Sequence, residues 1–354
     1  MSQKKFSHPN LALQWFYRRA CVAIIVIVVL GLALGLDLGL TIGRDKGDSN
    51  DNEDDNGSGN DSEVPAPTIS ASPLPTPTGS LPWRPRVNDT WQIVLSSGLL
   101  LDKDATSVIP DVAVYDIDLF DNSKDTIDTL HRLGKKVICY FSGGSYESGR
   151  PDSADFKDDD MGKALDGWPD ERWLKLGNEN VRKIMKGRVE LAKEKGCDGV
   201  DPDNVDGYQN ENGLDLTADD SISFLTYLSN ITTPLNLTVG LKNAGDIISN
   251  VLPIVHFSVN EQCVDESECD TFHAFIDAGK PVFHIEYPKG SGDRKAGLKK
   301  SVLDRYCSKV GAAKGRDGFS TVLKTMDLDG WVEYCDQDFY TTAVNRTDPE
   351  QRAV

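Results

Sequence analysis

The chain lacks most of the short motifs that announce a cofactor. It contains no C-x-x-C pair, so neither a zinc ribbon nor a thiol redox site is expected. It contains no G-x-G-x-x-G and no P-loop, which weakens a nucleotide-binding reading. There are only five histidines, and His256, His273 and His284 share no ligand spacing, so no metal is demanded. His256 and His284 read as packed strand residues. Positive charge is scarce too: 38 Lys and Arg face 56 Asp and Glu, for a net charge of −18. That balance argues against nucleic acid, whose binding needs basic patches. It suits a cationic substrate.

What the chain does have is a strong change of composition along its length. Residues 1–19 carry Lys4, Lys5, Arg18 and Arg19 and read as a cytoplasmic tail. Ala20–Leu36 follows with seventeen uncharged residues, and after Asp37 the run continues as LGLTIG. A bilayer span needs roughly 20 apolar residues, so 20–42 is expected to be a transmembrane signal anchor. A cleaved signal peptide has a shorter apolar region and a small-residue cleavage site, and it fits less well. The basic flank stays in the cytoplasm, so the expected topology is single-pass type II in the cell membrane, with the large domain extracellular. Residues 43–80 form a linker, first acidic, then rich in Pro, Ser and Thr. Residues 81–354 are long enough for one large domain, expected to be monomeric.

Six cysteines remain outside the apolar run, an even number that suits an oxidising compartment. Cys263 and Cys269 flank a short loop. Cys307 and Cys335 both lie in the last segment, which leaves Cys139 with Cys197. Sequons at Asn88, Asn230, Asn236 and Asn345 agree with a glycosylated, secreted domain.

Eight short apolar runs punctuate residues 81–354: 91–95, 112–117, 136–141, 199–203, 237–241, 255–259, 281–285 and 320–323. Helical patterns lie between most of them, notably 126–133, 179–195, 221–229, 244–248, 271–278 and 296–310. Buried strands alternating with helices predict an α/β fold, a single (β/α)8 TIM-like barrel, with an open doubly wound sheet as the alternative. Such barrels carry their sites at the C-terminal strand ends. Those ends here hold Asp116 and Asp118, Tyr140 through Glu147, the stretch DGVDPDNVDGY from Asp198 to Tyr208, Lys242 and Asn243, Asn260 and Glu261, and Glu286 and Tyr287.

The aspartate-rich stretch fails as an EF-hand loop because positions 5, 6 and 12 from Asp201 are Val205, Asp206 and Asn212. Strand periodicity instead puts Asp201 and Asp203 on one face, with Asp203 nearer the barrel mouth. Both are candidates for a reacting carboxylate, and Asp201 could tune Asp203. Glycoside hydrolysis needs a second carboxyl group. Glu261 is the best partner, with Glu147 and Glu286 as rivals. Tyr140, Tyr146, Tyr208, Tyr287, Trp168 and Trp173 are candidate sugar platforms, the two tryptophans being expected in a long loop and helix start. Asp116, Asp118 or Asp201 could pair with a cationic sugar amine.

Together DGVDPDNVDGY, CYFSGGSYE and FSVNEQC resemble glycoside hydrolase family 114, the endo-α-1,4-polygalactosaminidases, over roughly residues 88–340. The tether resembles that of the membrane-anchored fungal members. The resemblance implies a retaining, endo-acting hydrolase of α-1,4-linked galactosamine in deacetylated galactosaminogalactan-type cell-wall or biofilm polymer, without a cofactor. Asp203 would be the nucleophile and Glu261 the acid/base, with Glu261 raised in pKa by burial and by Asp203. Contacts from Asp118, Tyr140, Lys242 and Asn243 are also implied. Lys242 beside a cationic sugar requires an acidic partner or a hydroxyl. The competing readings are a hydrolase of acetylated or neutral α-galactosides and a noncatalytic carbohydrate-binding surface protein.

Overall fold

The structure, a computed structural model, describes residues 81–289 and 297–345. The expected anchor at 20–42 and the linker at 43–80 lie outside the described residues. Among the described residues, no helix is long and apolar enough to cross a membrane.

The fold is α/β, built on a curled ten-stranded sheet. In chain order the strands are β1 (Trp91–Val94), β2 (Val114–Asp118) and β3 (Lys136–Ser142), then an insertion of β4 (Ser145–Glu147), β5 (Met161–Leu165) and β6 (Trp168–Leu174). The main sheet resumes with β7 (Gly199–Asp203), β8 (Thr238–Lys242), β9 (Phe257–Glu261), β10 (Val282–Glu286) and β11 (Ser320–Leu323). These eight main strands pair in parallel and in sequence order. The antiparallel β12 (Trp331–Tyr334) and β13 (Phe339–Thr341) finish the sheet.

The curl brings β1 back to β11 and β12. No backbone ladder joins β1 to either among the described residues. Side chains and the β11–β12 turn hold this seam instead. The Trp91 indole donates to the Ser320 carbonyl at 2.7 Å, and the Tyr334 hydroxyl donates to the Trp91 carbonyl at 2.9 Å. Buried Lys324 donates to the Ile93 carbonyl at 2.7 Å, and the Leu95 N–H donates to the Leu328 carbonyl at 2.9 Å.

Alternation along the strands sorts the core into two apolar clusters. Trp91, Ile93, Val114, Ile138, Phe257, Val259, Phe283, Ile285 and Val322 fill the space inside the curl. Gly240 sits in β8 because a Cβ there would lie 2.4 Å from the Phe257 ring. The opposite faces, with Tyr115, Ile117, Val137, Cys139, Val200, Val239 and Leu241, pack under the helices. Those helices are α1 (Lys124–Arg132), α2 (Glu179–Lys195), α3 (Ala218–Thr232), α4 (Ile248–Val251), α5 (Cys263–Glu266), α6 (Cys269–Asp277) and α7 (Lys300–Tyr306). The longest, α2, shows why they form. Asn178 caps its start, Gly196 ends it at φ 94°, and Val181, Met185, Val189 and Ala192 make one buried stripe. Each fully buried aliphatic residue of that size adds roughly 1.5–3 kcal/mol, so an aspartate at Val189 would break the stripe.

Three disulfides join Cys139 to Cys197, Cys263 to Cys269, and Cys307 to Cys335. Asn88, Asn230, Asn236 and Asn345 are all exposed. The segment around Trp168 and Trp173 departs from the expected loop and helix start. Both tryptophans lie in β6, the middle strand of a small antiparallel sheet ordered β4-β6-β5. The two-residue Asp166-Gly167 turn connects β5 to β6, with Gly167 at φ 85°.

Candidate active site

The aspartate-rich stretch spreads its four carboxyl groups over four environments. Asp198 precedes β7 and is an anchor: it takes Lys136 Nζ at 2.7 Å, His131 Nε2 at 2.8 Å and the Val137 N–H at 2.9 Å. Asp201 points into the interior and is fully buried. Asp203 ends the strand at the mouth, and Asp206 lies in the following loop; both line one open pocket of about 410 Å³.

Asp203 is surrounded by donors. Its Oδ2 accepts from the Tyr140 hydroxyl and from Lys242 Nζ, both at 2.9 Å. Its Oδ1 accepts from the Asn204 N–H at 2.7 Å. The Gly143-Gly144 pair clamps the same residue by its backbone, since both N–H groups donate to the Asp203 carbonyl at 2.8 Å. Glycine is required at 144 because a Cβ would stand 1.9 Å from the Asn204 carbonyl oxygen.

Glu261 faces Asp203 from the end of β9. Lys242 Nζ lies 3.2 Å from its Oε2, so one ammonium bridges both acids. Asn243 grips Glu261 twice: its amide donates to Oε2 at 3.0 Å, and its carbonyl oxygen accepts the Glu261 N–H at 2.9 Å. The Tyr287 hydroxyl donates to Oε1. Asn243 and Ala244 both hold positive φ, of 50° and 52°, which turns the chain sharply after β8. The Lys242 ammonium also sits 5.7 Å from the centre of the Tyr140 ring, and the side chain is almost wholly buried.

This bridge corrects one expectation. Burial does push the Glu261 carboxyl up, but the Lys242 ammonium and the hydrogen bonds from Tyr287, Asn243 and Lys242 outweigh it. Glu261 is held below the ordinary glutamate range.

Several other expected contacts fall elsewhere. Glu147 lines the pocket but is held in two places by Arg150, at 3.0 and 2.8 Å. Asp118 pairs with the same guanidinium at 2.8 Å, accepts the Phe120 and Asp121 N–H groups, and is fully buried. Asp116 and Asp201 are also fully buried, and neither has a hydrogen-bond partner among the described residues. Burial, with Asp201 beside it, holds Asp116 well above the usual carboxylate range. Asp201 is pushed up to about 8 by burial, against the pull of Lys242 and with the added repulsion of Asp203 and Glu261. None of Asp116, Asp118 and Asp201 lines the pocket, so none can meet a sugar amine there.

Glu286 and Tyr208 are displaced as well. Glu286 shares a strand face with His284, opposite Ile285 and Tyr287. It is fully buried and accepts from the Val264 N–H at 2.7 Å, bracing the start of α5. The Tyr208 ring packs on the outer apolar cluster and its hydroxyl bonds Asp246, away from the pocket. Cys263, Cys269 and His284 come within 4.8 Å of one another, but the two sulfurs are bonded together and offer no thiolate to a metal.

The site contains residues that strand ends alone do not reveal. Glu171 of β6 and Trp168 beside the hairpin turn both line the pocket, and Trp168 is 55% exposed. Glu171 accepts from Ser145 Oγ at 2.8 Å, and Ser145 Oγ accepts from the Asn204 amide at 2.8 Å, so the hairpin is wired to the residue after Asp203. The D-G pair between two extended patterns was the available signal for that hairpin.

Comparison with known proteins agrees with this geometry. A family model described as glycoside-hydrolase family GH114 matches residues 73–340. The crystal structure of Aspergillus fumigatus Ega3 in complex with galactosamine is 52% identical, with a TM-score of 0.66, covering 73% of this chain and 99% of that one. The glycoside hydrolase domain of PelA from Pseudomonas aeruginosa is 11% identical with a TM-score of 0.51, covering 68% and 95%, and bears on the fold alone. No match was found among curated proteins.

Proposed function

The chain belongs to glycoside-hydrolase family GH114, and from that premise we propose that it is an endo-acting, retaining hydrolase of α-1,4-linked galactosamine polymers. The observation that carries this reading is the pair of carboxyl groups held by one buried ammonium. Lys242 Nζ touches Asp203 at 2.9 Å and Glu261 at 3.2 Å, so the two facing oxygens lie no more than about 6 Å apart. Retaining enzymes need about 5–5.5 Å and inverting enzymes about 6.5–9.5 Å. The galactosamine bound to the 52% identical Ega3 supports the choice of sugar.

In the first step Glu261 gives its proton to the glycosidic oxygen while Asp203 attacks the anomeric carbon. The bond to the leaving sugar breaks and a β-linked glycosyl ester forms. In the second step Glu261 takes a proton from water, which attacks the same carbon and frees Asp203. Tyr140 and Asn204 orient the nucleophile, and Asn243 and Tyr287 orient the acid/base. Once Asp203 is an ester its charge is gone, which lowers the pKa of Glu261 further and suits it to act as a base.

The curled sheet is read as a TIM-like (β/α)8 barrel whose seam is covered by β12 and the turn before it. The apolar run at 20–42 is read as a type II anchor that leaves the hydrolase outside the cell, acting on wall or biofilm polymer. The basic flank, three disulfides and exposed sequons support that placement. Protease protection on intact cells tests it: loss of the domain is expected, and survival overturns it.

The activity is tested by incubating the full chain with deacetylated α-1,4-galactosamine polymer and following new reducing ends by proton NMR. Oligomers whose reducing ends appear first as the α anomer are expected. A β anomer overturns retention, and monosaccharide as the sole product overturns endo action.

A further inference from the structure

Resting on the amine-polymer reading above, we infer that Glu171 and Asp206 recognise the 2-ammonium of the sugar seated beside Asp203, and so set a preference for the free amine over an uncharged substituent. The argument begins with the carboxyl groups that line the pocket. Asp203 and Glu261 share Lys242, and Glu147 is held by Arg150. Asp327 is exposed and solvated. Glu171 and Asp206 differ from all of these. Both are partly buried, and neither has an ion-pair partner among the described residues. An acid withdrawn from water with no cation in ion-pair contact is costly to ionise, and an entering ammonium supplies that contact.

Their location fits the chemistry of the sugar. The 2-substituent is attached to the carbon next to the one that Asp203 attacks, so its partners must flank Asp203. Asp206 lies three residues beyond it in the same loop. Glu171 reaches the same place from the hairpin, fixed through Ser145 and Asn204. Ser145 occupies one oxygen of Glu171, and the other carries no hydrogen bond among the described residues. The electrostatics agree. Burial first, then Glu147 and Asp203, push Glu171 up to about 7 against the bond from Ser145 and the weaker pull of Arg150. Burial first, then Asp203, push Asp206 up to about 6 against a backbone hydrogen bond and the pull of Lys242. Both therefore gain affinity for their charged form when a cation arrives, and both lose charge as pH falls.

Direct binding tests the assignment without relying on turnover. Titration calorimetry of the full chain with D-galactosamine and with D-galactose gives an affinity ratio for the parent, Glu171→Gln and Asp206→Asn. The parent is expected to favour galactosamine, less strongly as pH falls from 7.5 to 5. Each substitution is expected to cut the ratio about 10- to 100-fold, as loss of a charge-assisted hydrogen bond does. An unchanged melting temperature, with galactose binding retained, reports an intact pocket in the variants. A ratio retained in both variants overturns the assignment while leaving the hydrolase reading in place. A parent that binds both sugars equally overturns amine recognition itself.

Discussion

Two neighbouring strands end in glutamate and put it to different uses. In β9 the terminal Glu261 lies beside Ile285 of β10, on the face that looks into the curl. In β10 the terminal Glu286 is one residue further along and therefore points the other way, into the layer beneath the helices. A single step in a period-two element separates an acid that meets substrate from one that braces a loop. The two are nonetheless connected. Glu286 holds the Val264 N–H, and Val264 follows Cys263, so the outer glutamate steadies the turn that leaves the inner one.

The sharpest way to test this contrast is to neutralise the inner acids. Glu261→Gln and Asp203→Asn are each expected to lower kcat about 10³-fold or more, measured by reducing-end release, with melting temperatures confirming the fold. Full activity in either variant removes that residue from its role. Next in size is Lys242→Gln. It strips the shared charge from two partly buried acids, with a cost of about 3–5 kcal/mol to stability. Its effect on pH dependence has a definite sign. Lys242 lowers the Glu261 pKa, and the first step needs protonated Glu261, so the parent's kcat/KM is expected to fall on an acidic alkaline limb. Without Lys242 the Glu261 pKa rises and that limb moves to higher pH. A limb that does not move would separate Lys242 from Glu261.

For the outer acid, Glu286→Ala is expected to cost about 1–3 kcal/mol in thermal or denaturant unfolding, because a buried backbone N–H loses its acceptor. Its loss of kcat should be far smaller than that of Glu261→Gln, and a loss of equal size would erase the contrast. A further effect is expected one layer down, and it shows in pH dependence alone. The folded pKa of Asp201 is raised to about 8, above its unfolded value. Its contribution to stability is full below about pH 4 and is lost as pH rises through about 8. Asp201→Asn removes that dependence, so the difference in melting temperature between pH 5 and pH 8 should narrow. An unchanged difference would mean that Asp201 does not titrate there.

Much of this is legible in the sequence. The eight apolar runs became the eight parallel strands with ends shifted by no more than two residues, because a strand buried on both faces writes itself as a continuous apolar run. The face of Asp203 followed from periodicity. What could not be read was distance across the curl. Lys242 carried an unanswered question about its partner, and the answer lay on two other strands, in Asp203 and Glu261. Asp116, Asp118 and Asp201 looked available because they stood near strand ends, and only depth shows that they are sealed. Glu171 went unseen for another reason. Its hairpin packs a charged, Pro-containing sequence, WPDERWL, into a strand, against the ordinary preferences of those residues. Tyr208 was drawn toward the site by its neighbours in sequence, but the short helical turn after Asp206 carries it outward.

The buried ammonium of Lys242 has a bearing on inhibitor chemistry. A sugar mimic with a protonated ring nitrogen gains its grip from unneutralised acids at the point of bond cleavage. Here that position already holds a fixed positive charge between the two acids, so a second one placed there is met by repulsion as well as attraction. Compounds for this pocket should carry a neutral ring and set their cation where the C2 substituent goes.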